Sequence, residues 1–228
     1  ETVLGLKRKQ FVDYFNSHYV AENTVVAVAG NVDPEVIKAK VSAHFDNIRH
    51  GKKLEKPPVV EKQESPAIDI IHKATDQTHF VLGFRSFSMF DKRRYALAVL
   101  GSVLGGGMSS RLFDEVREKR GLAYEVHSYL SHFTDTGSLT VYAGVAPDHV
   151  YEALDAILEE LRRLREEKVS EEEMTKAKEF TKGRLLLRME DTRSVAGWAG
   201  AQELLTQRLL TVDDVVALVD AVTPQEVQ

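Results

Sequence analysis

The residues in this sequence best placed to do chemistry fall in one short stretch. Residues 117–124 read REKRGLAY, with Arg117 near the end of an expected short helix and Tyr124 at the start of an expected strand. Gly121 between them suits the left-handed backbone that closes many helices. A chain that reverses there brings a guanidinium and a phenol to one side of a shared edge. A phenol donates to a developing oxyanion, and a guanidinium holds a peptide carbonyl or a carboxylate. The same spacing also describes an exposed arginine beside a half-buried tyrosine. Just upstream, Gly105, Gly106 and Gly107 stand in LGGGMSSR. Bare glycines leave backbone N–H and C=O groups open to an extended peptide, although a plain helix-ending turn uses the same residues. The stretch lacks the Gly-Lys-Ser/Thr ending of a phosphate loop and follows a helix rather than a strand, which argues against nucleotide binding.

Metal chemistry finds no matching pattern. The eight histidines contain no pair one helical turn apart with a glutamate beside it, as H-x-x-E-H or its inverse requires. His127 and His132 are five apart in an expected strand and so point to opposite faces. With no cysteine, thiolate ligands, disulfides and a cysteine nucleophile are all excluded. We therefore expect no metal site within this chain.

Several elements must position Arg117 and Tyr124. Apolar residues at helical spacing predict a helix over 7–20 and the buried stripe Val150, Leu154, Ile157, Leu158, Leu161 and Leu164 over 148–168, with Glu159 and Arg163 paired on the wet face. Asp33-Pro34-Glu35 opens a helix reaching Phe45, and Ser170–Glu173 and Thr223–Glu226 are capping boxes. Helices are also expected over 91–104, from Ser109 or Ser110 to Lys119, over 193–209 and over 212–221. Strands are expected over 24–29, 68–72, 79–87, 122–133 and 138–145, with Thr134-Asp135-Thr136-Gly137 as a hairpin turn. Residues 49–66 carry half of the six prolines and many charges, and read as a linker.

Composition is that of an ordinary soluble domain, 43% hydrophobic and 29% charged, in 228 residues. A net charge of −5 offers no footprint for nucleic acid. No apolar run approaches the roughly 18 residues of a spanning helix, so no membrane partner is expected. The lack of cysteine fits a cytoplasmic setting.

The run GGGMSSRLFDEVREKRGLAYEVHSY, followed by the Thr-Asp-Thr-Gly turn, closely resembles the second domain of the inverzincin zinc peptidases, such as pitrilysin, insulin-degrading enzyme and the mitochondrial processing peptidase. The resemblance covers residues 68–228 and is most specific between Gly105 and Gly137. It implies an α+β fold, an antiparallel sheet flanked by helices. It further implies that residues 1–48 are the tail of a zinc-bearing first domain, 49–66 a linker, and 67–228 a metal-free second domain that stops before its last helix and strand. Arg117 and Tyr124 match the arginine and tyrosine that such a domain places in the active site. Gly105, Gly106 and Gly107 resemble a shortened substrate-binding glycine loop.

The resemblance thus implies zinc in the parent protein, a peptide substrate, and a first domain in the same chain or in a partner subunit of a homo- or heterodimer. This chain alone should be inactive. The alternative is a non-catalytic peptide-binding or core-protein-like structural subunit. Phe11, Tyr14, Phe15, Val26 and Val28 call for an apolar partner, and we expect the N-terminal segment to pack on residues 68–228, with 24–29 joining their sheet.

Overall fold

A computed structural model describes residues 2–228. It divides into two compact units. One takes in the chain up to Pro58 together with Leu186–Leu210; the other holds Val59–Leu185 and Thr211–Gln228. This grouping differs from the expected boundaries, since residues 186–210 go with the N-terminal segment.

The larger unit carries an antiparallel three-stranded sheet in the order β1-β3-β2, built from β1 (Thr78–Ser86), β2 (Ala123–His132) and β3 (Gly137–Val145). β2 and β3 form the hairpin, whose turn is closed by the Phe133 amide donating to the Thr136 carbonyl at 2.9 Å. Alternation gives the sheet one dry face. Leu139, Val141, Ala143 and Val145 of β3 and Val126 of β2 all point into it and are buried. Against that face lie Val99, Val103 and Leu104 of α3 (Arg94–Gly105), Leu112 and Val116, and Ala153, Ile157 and Leu164 of α4 (Val150–Glu166). Met174 and Ala177 of α5 (Glu171–Met189), Val219 of α7 (Val212–Asp220) and Val227 of α8 (Pro224–Val227) complete the core. The fold is α+β, an antiparallel sheet with helices, as the resemblance implied.

The smaller unit holds α1 (Arg8–His18), α2 (Pro34–Phe45) and α6 (Thr192–Thr206). Asp33 caps α2 by accepting from the amides of Glu35 and Val36, and Asp191 caps α6 in the same way. Glu22 ties residues 50–51 back by accepting from the Gly51 amide at 2.8 Å.

Four local expectations are corrected. Residues 24–29 form no strand and have no sheet partner among the described residues, and Val25, Val26 and Val28 are exposed. Their neighbour is α6, where a Cβ on Gly200 would stand 3.2 Å from the Ala27 side chain. Residues 68–72 are also unpaired, with Ile68, Ile70 and Ile71 exposed. Adjacent Ile70 and Ile71 would face opposite ways in a strand, so no register buries both. On α4 the buried line runs through Ala153, Ala156, Ile157, Glu160 and Leu164, while Leu158 lies outside. Arg163 therefore pairs with buried Glu160 at 2.7 Å, and Glu159 pairs with Arg162. Ser110 stands just before the helix and its carbonyl accepts from the Asp114 amide at 3.0 Å, but its hydroxyl donates back to the Gly107 carbonyl at 2.6 Å instead of accepting from a helix amide. No described helix is long and apolar enough to cross a membrane.

Candidate functional site

The site begins where α3 stops. Gly105 is its last residue, and a Cβ there would lie 2.5 Å from the Ser128 amide nitrogen of β2. A Cβ on Gly106 would lie 2.7 Å from the Ser102 Cα, and one on Gly107 would lie 3.0 Å from the ring of Phe180. Packing therefore demands small residues throughout this turn. After one helical step at Arg111 and Leu112 the chain widens into a π-helix, Phe113–Lys119. Such wide turns are rare and re-aim the side chains they carry.

Arg117 sits on that π-helix with its guanidinium carbon 4.8 Å from the centre of the Phe113 ring, a cation–π contact. Its neighbours are spent on local carboxylates. Lys119 pairs with Asp114 at 2.8 Å, and Arg120 pairs with Glu115 at 2.8 Å. Arg120, with help from Lys119, holds the Glu115 carboxyl below the usual glutamate range. Arg117 has only Glu118, at 3.9 Å, and among the described residues its guanidinium makes no hydrogen bond. Gly121 then turns the chain with φ +63°, and β2 begins.

Tyr124 occupies a bulge at the start of β2. Ala123 pairs with Val145 and Glu125 with Gly144, so Tyr124 has no partner opposite it and is 65% exposed. A bulge leaves its extra residue unpaired and bends the strand locally.

Between the glycine turn, the π-helix and β2 lies an open hollow. Gly105, Gly106, Gly107 and Met108 form one side, Phe113 and Arg117 another, and Glu125, Val126 and His127 the third. The structure thus brings together Arg117 and the three glycines. Tyr124 does not line the hollow, although the next residue, Glu125, does. Two residues that spacing alone missed also belong to it. Glu125 and His127 face the same way on β2 and approach to 3.2 Å, and the His127 ring lies 5.0 Å from that of Tyr142 across the strand pair. The alternation of β2 marks Glu125 and His127 as same-face neighbours; what they share with Arg117 depends on the packing of the π-helix.

The hollow can hold an extended, uncharged backbone. Met108 and Phe113 offer apolar surface, and the unspent donors of Arg117 can take a carbonyl or carboxylate. It does not fit a metal ion. Among the described residues no three His, Cys, Asp or Glu side chains converge to hold one.

The chain matches a family model described as "Peptidase M16 inactive domain" over residues 5–180. It is 36% identical to an uncharacterized zinc protease of Streptomyces coelicolor, over 100% of this chain and 51% of that protein. Against the uncharacterized zinc protease YmxG of Bacillus subtilis the identity is 34%, over 100% of this chain and 55% of the relative. The chain thus spans about half the length of these curated relatives. A crystal structure of a protease from Helicobacter pylori superposes with a TM-score of 0.88, covering 99% of this chain and 55% of that one. At 22% identity that likeness speaks for the fold alone. With the family model matching most of its length, this chain belongs to the peptidase M16 inactive-domain family.

Proposed function

We propose that this chain is the metal-free half of an inverzincin zinc peptidase, and that it holds an extended peptide in the hollow. The observation that carries the reading is Arg117. Its guanidinium is anchored over Phe113, makes no hydrogen bond among the described residues, and stands at the rim of a hollow bordered by glycines, Met108 and Phe113 on the sides away from Glu125 and His127. In this reading Arg117 takes a peptide carbonyl or carboxylate, and the backbone of Gly105, Gly106 and Gly107 borders the bound strand. Tyr124, exposed on its bulge beside the hollow, donates to the oxyanion when the zinc-bearing half closes on the same peptide. The zinc ligands belong to that other half, in the same polypeptide or in a partner of a homo- or heterodimer. The names of the curated relatives, both called zinc proteases, support a proteolytic parent.

Titration of the chain with fluorescein-labelled casein peptides tests the binding step. Saturable binding that Arg117→Ala weakens by about tenfold or more supports the reading, as loss of a charge-assisted hydrogen bond would do. Binding indifferent to Arg117 overturns it. Peptide binding in a parent protein that never cleaves would assign the hollow to a non-catalytic subunit instead.

A further inference from the structure

Helix α5 meets the glycine turn at three points. Before the turn, Ser102 on the last turns of α3 shares a 2.8 Å hydrogen bond with Thr181. At its centre, Gly107 lies against the Phe180 ring so closely that a Cβ would stand at 3.0 Å. After it, Arg111 donates from Nε to Glu173 Oε1 at 2.7 Å and from Nη2 to Oε2 at 3.1 Å. Glu173, Phe180 and Thr181 fall at i, i+7 and i+8, which is one face of a helix. The start, middle and end of the turn are therefore fastened to a single rigid element.

The last of these fastenings is the most specific. The Arg111 side chain is only 13% exposed, and its fork matches the carboxylate with two parallel bonds. Glu173 is engaged a second time, since Oε2 also accepts from the Ser170 amide at 3.2 Å and the Ser170 hydroxyl at 3.0 Å. One carboxylate thus both closes the N-terminus of α5 and grips the segment that leaves the glycine turn. Arg111 is absent from the lining of the hollow; its Nε and Nη2 are spent on Glu173, and among the described residues its buried Nη1 has no hydrogen-bond partner. On the opposite side the turn is already pressed against Ser128 of β2.

We propose that Arg111 and Glu173 are positioning residues, which hold Gly105–Gly107 from α5 as a fixed wall of the hollow without touching the peptide. This rests on the reading of the hollow as a peptide site. Its physical content is that a wall free to move charges binding with the entropy of ordering it, whereas a fastened wall does not. Arg117 and Arg111 then have complementary roles, the first reaching the ligand and the second keeping the opposing wall in place.

The test uses the whole chain with Glu173→Gln, Arg111→Lys and Arg117→Ala. Amide hydrogen exchange at residues 106–110 reports the turn, and fluorescein-labelled casein peptides report the hollow. Glu173→Gln keeps the shape and the acceptor of the cap but removes the charge. It should speed exchange in the turn about tenfold, the worth of one charge-assisted bond, and weaken peptide binding by a similar factor. Arg111→Lys, which keeps a single bond to Glu173, should fall between it and wild type. Unchanged exchange and unchanged binding in folded Glu173→Gln overturn the proposal. If that variant fails to fold, Arg111→Lys is decisive, with wild-type exchange as the overturning result. Should the wild type bind no peptide, or Arg117→Ala bind as well as wild type, the functional reading fails; exchange in the turn then decides the positioning claim by itself.

Discussion

Gly105 lies against the backbone of Ser128, so close that a Cβ on the glycine would stand 2.5 Å from the Ser128 amide nitrogen. The hydroxyl of Ser128 also donates to the Gly101 carbonyl at 2.9 Å, which draws the end of α3 and the middle of β2 together. Any side chain at position 105 must push helix and strand apart.

Gly105→Ala should therefore destabilise the protein by about 1–3 kcal/mol, the usual cost of overpacking a tight core contact. Gly183 offers the opposite case, for it sits inside α5 with nothing within 4 Å of an added Cβ. Gly183→Ala should stabilise by roughly 0.5–1 kcal/mol through helix propensity. Urea denaturation of both variants checks the pair, and similar midpoints for the two would show that the Ser128 contact is loose.

Tyr124 and Arg117 are predicted to separate in their kinetic effects within the full-length peptidase. Tyr124→Phe should lower turnover by about two to three orders of magnitude if the phenol is an oxyanion donor. Arg117→Ala should impair binding and turnover together, because a clamp acts on bound substrate as well as on the transition state. Tyr124 is 65% exposed, so thermal unfolding of Tyr124→Phe should match wild type. Wild-type turnover in both variants would remove these residues from the mechanism.

The Arg111–Glu173 pair makes stability depend on acid. Arg111 holds the Glu173 carboxyl at about 2, below its ordinary 4.5. The folded protein thus resists protonating Glu173 more than the unfolded chain does, and the pair stabilises fully above about pH 4.5. That contribution is lost as the pH falls from about 4.5 through about 2. Glu22, held low first by the Gly51 amide, and Asp91, held low by Arg93, titrate across the same range. The comparison must therefore be between wild type and Glu173→Gln. The variant should be less stable at neutral pH and lose less on acidification; parallel stability curves from pH 6 to pH 2 would refute the assignment.

Purified in the presence of zinc and then desalted, the chain should retain no stoichiometric metal by elemental analysis and hydrolyse no peptide. The basis is that no three metal-ligating side chains converge among the described residues. One tightly held zinc per chain with chelator-sensitive hydrolysis would sink both this prediction and the division of labour proposed between two halves.

Much of the fold is legible in the sequence wherever its cause is local. Asp33 before Pro34, Ser170 before Glu173 and Thr223 before Glu226 cap their helices in the structure as their spacing demands, since each cap is a bond between residues two or three apart. Gly121 takes the left-handed backbone that a helix-to-strand reversal needs, and the Thr-Asp-Thr-Gly turn closes the β2–β3 hairpin. The α+β class and the family were legible through the resemblance carried by the run from Gly105 to Gly137, and the histidine spacing is read directly from the sequence.

Tertiary structure alone decided what each of these pieces touches. Nothing near residues 24–29 in the chain tells that TVVAVA finds α6 rather than a sheet, and the apolar pattern of α4 does not reveal that Glu160 is buried while Leu158 is exposed. The glycines at 105–107 could be read as an opening for a peptide; only the neighbouring Ser128, Ser102 and Phe180 show that each missing Cβ also makes room for the protein itself. Glu125 and His127 join Arg117 in one hollow because a π-helix and a bulged strand converge there. A cap is satisfied within one turn of its own helix and is written in adjacent residues. The purpose of a glycine, the facing of a strand and the walls of a hollow depend on atoms from distant parts of the chain, and those are specified only when the chain has folded.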